Sequence, residues 1–324
     1  MKTFVIGSTG FLGYYTVLEL LRHGHEIDSL SLTPTPDQVP FPTEIGLTLA
    51  DFNQLDDEVI LNKLTGFDGL IFAAGADDRS LPQKPAYAFF KKYNVDATQR
   101  LIRLARQAGV KRAVVFSSYF VHFARKWPEL KLAEKHPYIR SRLDQINVAN
   151  EAAGGELVVN YLLLPYIFGV LPGKMPLWKS LVDYVDNRLP CVFYTAGGTA
   201  MVSVEEVARV AVAALECGQA EMEYPVVSHN LSWIEFIGGM QKYLGKPKPV
   251  ITLPNWLIKL ASYILTLYFH ATGKESGLYA PAFVEVQTSK TFMDPEYSSS
   301  LLGYEHGDLD QALRDTVEAC RKQA

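Results

Sequence analysis

The residue types in this chain that could do chemistry fall into two groups. The first is a set of glycines, Gly7, Gly10 and Gly13, behind the apolar run Phe4-Val5-Ile6 and around the start of a helical apolar spacing over residues 14–22. A buried strand, a glycine turn and a helix make a phosphate site. One glycine permits the tight turn, one lets backbone approach a pyrophosphate, and one lets helix and strand pack closely. The free N–H groups at the helix start then face the anion. An ordinary strand-to-helix turn can carry the same glycines, so spacing alone does not decide. The second group is tyrosines four residues ahead of a cation: Tyr138 with Arg142, Tyr87 with Lys91, and Tyr184 with Arg188. Such a pair shares one helix face. A tyrosine hydroxyl, with an ordinary pKa near ~10, becomes a useful acid near neutrality when a fixed cation stands beside it. A serine hydroxyl can polarise the same substrate oxygen. Together they could move a proton at a carbonyl or alcohol oxygen while a cofactor carries the hydride. Spacing alone leaves all three pairs open.

The elements that must position these groups follow the order of an α/β chain. Residues 26–32 and 47–50 read as second and third strands, residues 55–64 as a helix, and residues 69–74 (GLIFAA) as a buried fourth strand. A long helix covers residues 87–108 and contains Asn94, and residues 113–118 (AVVFSS) make a fifth strand. Tyr138 opens a helix to about residue 153, ahead of a sixth strand over 157–164. Where dinucleotide folds hold the adenosine ribose with an acid, or a 2′-phosphate with an arginine, Ser31, Leu32 and Thr33 provide neither. The choice between NAD and NADP is therefore open.

With Ser8 and Thr9 inside it, the G-x-x-G-x-x-G turn resembles the TGxxGxxG turn of short-chain dehydrogenases/reductases. The likeness is to the extended, NAD-dependent epimerase/dehydratase members, and it covers most of the chain. It implies a doubly wound parallel Rossmann sheet with a smaller, mostly helical C-terminal substrate domain. The run FSS-x-x-V, aligned on Val121, picks Ser118 over Ser117 as the catalytic serine. The family's YxxxK motif falls on Tyr138 by its position after Asn94 and Ser118, with Arg142 in place of the lysine. Asn94 matches the family's supporting asparagine; a solvated helix face is the plainer reading. The resemblance places Gly7, Thr9, Gly10, Phe11, Leu12 and Gly13 at the pyrophosphate, and Asp51 and Phe52 beside the adenine. It sets Ala73 and Ala74 against the cofactor, with Tyr138 and Arg142 at the nicotinamide end. A helix-cap or turn role is the other reading of Asp51. Pro165-Tyr166-Ile167-Phe168-Gly169 resembles the family's RPxxVYG run, with Leu164 replacing its arginine.

The implied function is an NAD(P)-dependent oxidoreductase acting on a carbonyl or alcohol of a fairly apolar small molecule. A nucleotide-sugar epimerase/dehydratase and a catalytically idle NAD(P)-binding relative are the alternatives. Residues 168–199 carry only Lys174, Lys179 and Arg188 as cations, few for a diphosphate. Residues 1–165 read as the NAD(P)-binding domain, also receiving 201–229, and residues 166–200 and 230–324 as the substrate-binding region. The 324 residues, 48% hydrophobic and 20% charged, suit a globular protein with a real core, and the net charge of -4 offers no case for nucleic acid. Cys191, Cys217 and Cys320 lie far apart, which suggests neither a metal site nor a disulfide framework and fits a reduced cytoplasmic chain. The partner expected is a small-molecule substrate, with a homodimer compatible. Residues 254–273 have Lys259 as their one fully charged residue but fall short of the ~20 apolar residues that span a bilayer. A buried helix is expected there. Interfacial membrane contact through Trp256, Tyr263, Tyr268 and Phe269 is the other reading.

Overall fold

In the computed structural model, which describes residues 1–322, the chain begins with β1 (Lys2–Ile6), α1 (Phe11–Arg22), β2 (Glu26–Ser31), β3 (Gly46–Leu49), α2 (Asp57–Leu64) and β4 (Gly69–Phe72). Next come α3 (Ala86–Phe90), a π-helical turn (Lys91–Asp96), α4 (Ala97–Gln107), β5 (Arg112–Ser118), α5 (Phe120–Lys126) and α6 (Leu132–Lys135). They are followed by α7 (Pro137–Ala153), β6 (Val158–Leu164), β7 (Tyr166–Phe168), α8 (Lys179–Val185), β8 (Val192–Tyr194) and β9 (Gly198–Ser203). The remainder is α9 (Val204–Cys217), β10 (Glu223–Pro225), β11 (His229–Ser232), α10 (Trp233–Leu244), β12 (Val250–Thr252) and α11 (Asn255–Ala271). It closes with α12 (Ala280–Gln287), β13 (Lys290–Thr291), α13 (Pro295–Leu302) and α14 (Leu309–Lys322).

Seven parallel strands form the main sheet in the order β10-β6-β5-β4-β1-β2-β3. Its inner strands β1, β4, β5 and β6 are largely apolar on both faces because helices cover both. Phe4, Ile6, Leu70, Phe72 and Val115 pack toward α2, α4 and α7. The alternate residues Val5, Ile71, Val114 and Leu162 pack toward α1 and α9. Strand order reverses between β1 and β4, and in such sheets the ligand crevice lies there, outside the carboxyl ends of the strands. The glycine turn after β1 and the small residues after β4 both fall at that point.

The second half builds a smaller body. β9 pairs β11, β13 and β7 in a separate four-stranded sheet, and β8 pairs β12. Phe168, Val185, Trp233, Phe236 and Val317 share its core. The strand after residue 198 thus stays outside the main sheet, while α9 packs on that sheet and β10 joins its edge. Two further expectations need correction. The helix expected over 87–108 is interrupted by the π turn around Asn94, a local widening that often marks a functional site. Residues 254–273 do form a helix, α11, but none of its residues is buried.

Candidate active site

The three glycines divide the work that the sequence suggested. Gly7 has φ +91°, and a Cβ there would stand 2.8 Å from the Ala73 carbonyl oxygen. At Gly13 a Cβ would stand 2.0 Å from the Gly7 oxygen, so only glycine lets α1 pack against the turn. Gly10 is different: a Cβ would meet only the Gly7 oxygen, at 3.2 Å, and Gly10 lines the open groove. It caps α1 with no side chain over the helix end, leaving N–H groups free for an anion. Phe11 and Leu12 follow in the first turn of α1 and line the adjoining cavity. The Thr9 hydroxyl is turned away, donating to the Thr33 carbonyl at 2.7 Å, and its amide donates to Ser31 Oγ at 3.1 Å.

The groove beyond the turn, about 610 Å³, is lined by Ser31, Leu32, Asp51, Phe52, Ala73 and Ala74 among others. Asp51 also accepts from the Asn53 amide at 2.9 Å, so it caps a short 3-10 turn while facing the groove. Lys174, from the loop after β7, donates to the Thr9 carbonyl at 3.2 Å and brings a cation beside the glycine turn.

The groove continues past Gly10, Ala74 and Asp77 into a second cavity of about 450 Å³. Ser117, Ser118, Tyr138 and Arg142 all line it. β5 delivers the two serines at its carboxyl end, and α7 delivers Tyr138 and Arg142 on one face. Of the three tyrosine–cation pairs, this is the one in the cavity. The Tyr87 hydroxyl donates to Asp144, and Tyr184 donates to the Phe193 carbonyl near the surface.

Arg142 is only 7% exposed. Its Nη2 donates to the Ala76 carbonyl at 2.9 Å, and its Nη1 to the Phe116 carbonyl at 3.3 Å and to Gln145 Oε1 at 3.1 Å. Its Nε is buried with no partner. The guanidinium lies 5.2 Å from the Tyr138 ring centre. Asn94 is fully buried rather than on a solvated face. Its Oδ1 accepts from the Ala76 amide at 2.8 Å, and its Nδ2 donates to the Ala76 carbonyl and Ser141 Oγ, each at 3.1 Å. Asn94 and Arg142 therefore fix the backbone on both sides of Ala76 at the lip of the crevice.

Burial pushes the Tyr138 hydroxyl above its usual range. Arg142 pulls it down, Asp78 pushes it up, and Ser118 again pulls it down. In this cleft, desolvation outweighs the cation that was expected to dominate. Sequence reasoning passed over Asp78, whose carboxyl is raised by burial and by neighbouring Asp77. Its only signal was a pair of acids a few residues past the small-residue end of β4. Arg79 is paired with Asp77. The walls are aromatic: Tyr119, Phe120, Tyr166 and Trp178. The Tyr119 hydroxyl, bonded to Thr199 Oγ1 at 3.1 Å, is pushed up to about 12 by burial.

The site is thus a dinucleotide crevice running into a small cavity that holds a tyrosine, serines and a buried cation. Residues 7–153 match a family model described as NAD(P)H-binding. A Synechocystis protein provisionally named dihydroflavonol 4-reductase is 22% identical, over 97% of this chain and 93% of its own. The Synechocystis photosystem II assembly factor Ycf39 is 25% identical, over 98% of this chain and 89% of its own. Among solved structures, a dTDP-glucose 4,6-dehydratase from Streptomyces venezuelae with NAD bound superposes with a TM-score of 0.69 at 20% identity, covering 99% and 97% of the two chains. The first half of the chain thus matches an NAD(P)H-binding family, and along nearly its whole length the chain is similar to reductase and dehydratase relatives. Residues 7–153 are an NAD(P)H-binding domain, and the chain's relatives are named as reductases, dehydratases and epimerases.

Proposed function

We propose that the chain exchanges a hydride between a nicotinamide and the carbonyl or alcohol carbon of a fairly apolar small molecule. The observation that carries this reading is the meeting of Tyr138, Ser118 and Arg142 in one aromatic-walled cavity that continues from the glycine groove. The residues fit a dinucleotide. Gly10 leaves the space that a Cβ would take, α1 presents uncapped N–H groups, and the partnerless Arg142 Nε is a donor for a ribose hydroxyl. When bound, the cofactor supplies or accepts the hydride. Ser118 then donates a hydrogen bond to the substrate oxygen, and Tyr138 gives that oxygen its proton in reduction or takes it in oxidation. Arg142 holds positive charge behind the tyrosine but stays protonated, so it cannot pass a proton onward. Asn94 keeps the Ala76 peptide in place for it. Asp78, a carboxyl with a raised pKa in the same cavity, is the group available to bond a substrate hydroxyl.

The cavity supports an apolar substrate over a nucleotide sugar. A diphosphate needs clustered basic donors, whereas here Arg79 is paired with Asp77 and Arg142 is committed to backbone carbonyls. Asn187 and Arg188, the alternative phosphate holders, are not among the lining residues. We place the cofactor domain at 1–165 with α9 and β10 returning to it, the substrate region in the remainder of the second half, and the protein in a reducing, cytoplasmic setting. The test is a screen of NADH and NADPH oxidation against apolar ketones and aldehydes, with product analysis of UDP- and dTDP-sugars in parallel. Products are analysed for the sugars because epimerisation and dehydration return the hydride and leave the cofactor unchanged. Turnover of the sugars alone would overturn the substrate assignment.

A further inference from the structure

α11 is built inside out. Counting 100° per residue, its apolar and aromatic residues Trp256, Leu260, Tyr263, Ile264, Leu267 and Tyr268 fall within an exposed arc that, with Leu257, Ala261 and Leu265, spans roughly 200°. Trp256 is 67%, Leu267 67%, Tyr268 64% and Ile264 62% exposed. Its polar residues sit on the other side. Ser262 and Thr266 are half-buried and bond the helix's own carbonyls, and Lys259 pairs with Glu285 of α12 at 3.0 Å. A surface helix of a globular protein does the reverse, turning its apolar stripe to the core.

We infer that α11 docks on a lipid bilayer, lying in the plane of the interface. Two observations choose this occupant over a second copy of the chain. A helix pairing with another helix needs an apolar seam far narrower than this arc, since each partner covers one side only. A fluid apolar phase covers the whole arc at once. Aromatic residues stand near both ends, Trp256 at one and Tyr268 at the other, with leucine and isoleucine between, which matches a helix lying among headgroups and upper acyl chains. The helix cannot instead cross: among the described residues none is long and apolar enough to do so. The exposed arc carries no charge, so the attraction is hydrophobic and needs no anionic lipid. Ile251 and Phe193, paired across β12 and β8 just ahead of α11, are exposed apolar residues as well.

The experiment is flotation of the full chain with phosphatidylcholine vesicles, together with Trp256 quenching by brominated lipids. Wild type is expected to float with the vesicles at low and high salt alike. The double variant Ile264→Glu/Leu267→Glu, changed only at exposed positions, is expected to lose at least tenfold in partitioning with unchanged melting temperature and NAD(P) affinity. Failure of wild type to float would overturn the proposal. So would a concentration-dependent dimer that the same variant dissolves, which would give the face to a second copy. Because the readouts are binding to lipid and to cofactor, the result stands apart from the fate of the substrate assignment.

Discussion

Arg142 stands where the sequence resemblance places a lysine, and its surroundings say what the arginine does. A lysine ammonium is a compact point donor, while the guanidinium fork here reaches two carbonyls and Gln145 and still stands beside Tyr138. Replacing it with Met removes the charge and leaves buried carbonyls short of donors, at about 1–3 kcal/mol each where no other partner is found. We expect Arg142→Met to lower turnover roughly a hundredfold and to weaken cofactor binding. Arg142→Lys should restore turnover more than stability. Steady-state kinetics with a thermal melt of each variant checks this; a Met variant with wild-type kinetics would place Arg142 outside the chemistry. Asp78→Asn should leave cofactor affinity unchanged and raise KM for hydroxylated substrates, as expected of a group that meets substrate alone.

The glycine turn and the start of α7 are where elements rather than single groups decide the outcome. Gly10→Val places its side chain in the groove with a tight but not overlapping contact to the Gly7 carbonyl, so dinucleotide binding should be lost while stability falls by about 1–2 kcal/mol. Gly13→Val, by contrast, drives a Cβ into the Gly7 carbonyl and should cost upward of about 3 kcal/mol. Fluorescence titration and urea unfolding of the two variants separate the two roles. At the start of α7, His136 is fully buried, with Nδ1 accepting from the Tyr279 amide at 3.0 Å. Burial, and secondarily Lys135, pushes its pKa down to about 4. The unfolded chain takes up this proton below its ordinary pKa of ~6.5, whereas the folded one does not until near 4. The stability contributed is therefore complete above ~6.5 and is lost as the pH falls toward 4. The loss is about 2 kcal/mol by pH 5. Urea unfolding at pH 7.5 and pH 5 should show that loss in wild type and less of it in His136→Gln.

At the scale of the whole molecule, the first half was legible because each buried parallel strand is a short apolar run closed by small or polar residues. β1, β4 and β5 all follow that rule, and the glycine turn fixes where the crevice opens. The order Asn94, Ser118, Tyr138 then singled out one tyrosine–cation pair from three of equal spacing. What the sequence could not show was the balance of forces at Tyr138, because burial depends on walls supplied by residues far away, among them Tyr166 and Trp178. Nor could it show Lys174 beside the glycine turn, which depends on how the loop after β7 folds back. α11 misled for a related reason: an apolar helix reads as core unless its polar residues are seen to face inward. That same region touches the chemistry, since the Gly277 carbonyl, six residues past α11, accepts from the Tyr138 amide at 2.9 Å.

The central claim is that Tyr138 transfers the proton while the glycine crevice holds NAD(P). The most direct measurement is oxidation of NADH and NADPH by wild type and Tyr138→Phe with the apolar carbonyl found in the substrate screen, alongside cofactor titration of both proteins. The account predicts cofactor affinity within about threefold of wild type and turnover reduced by about 10²–10⁴. Turnover in Tyr138→Phe equal to wild type would contradict it.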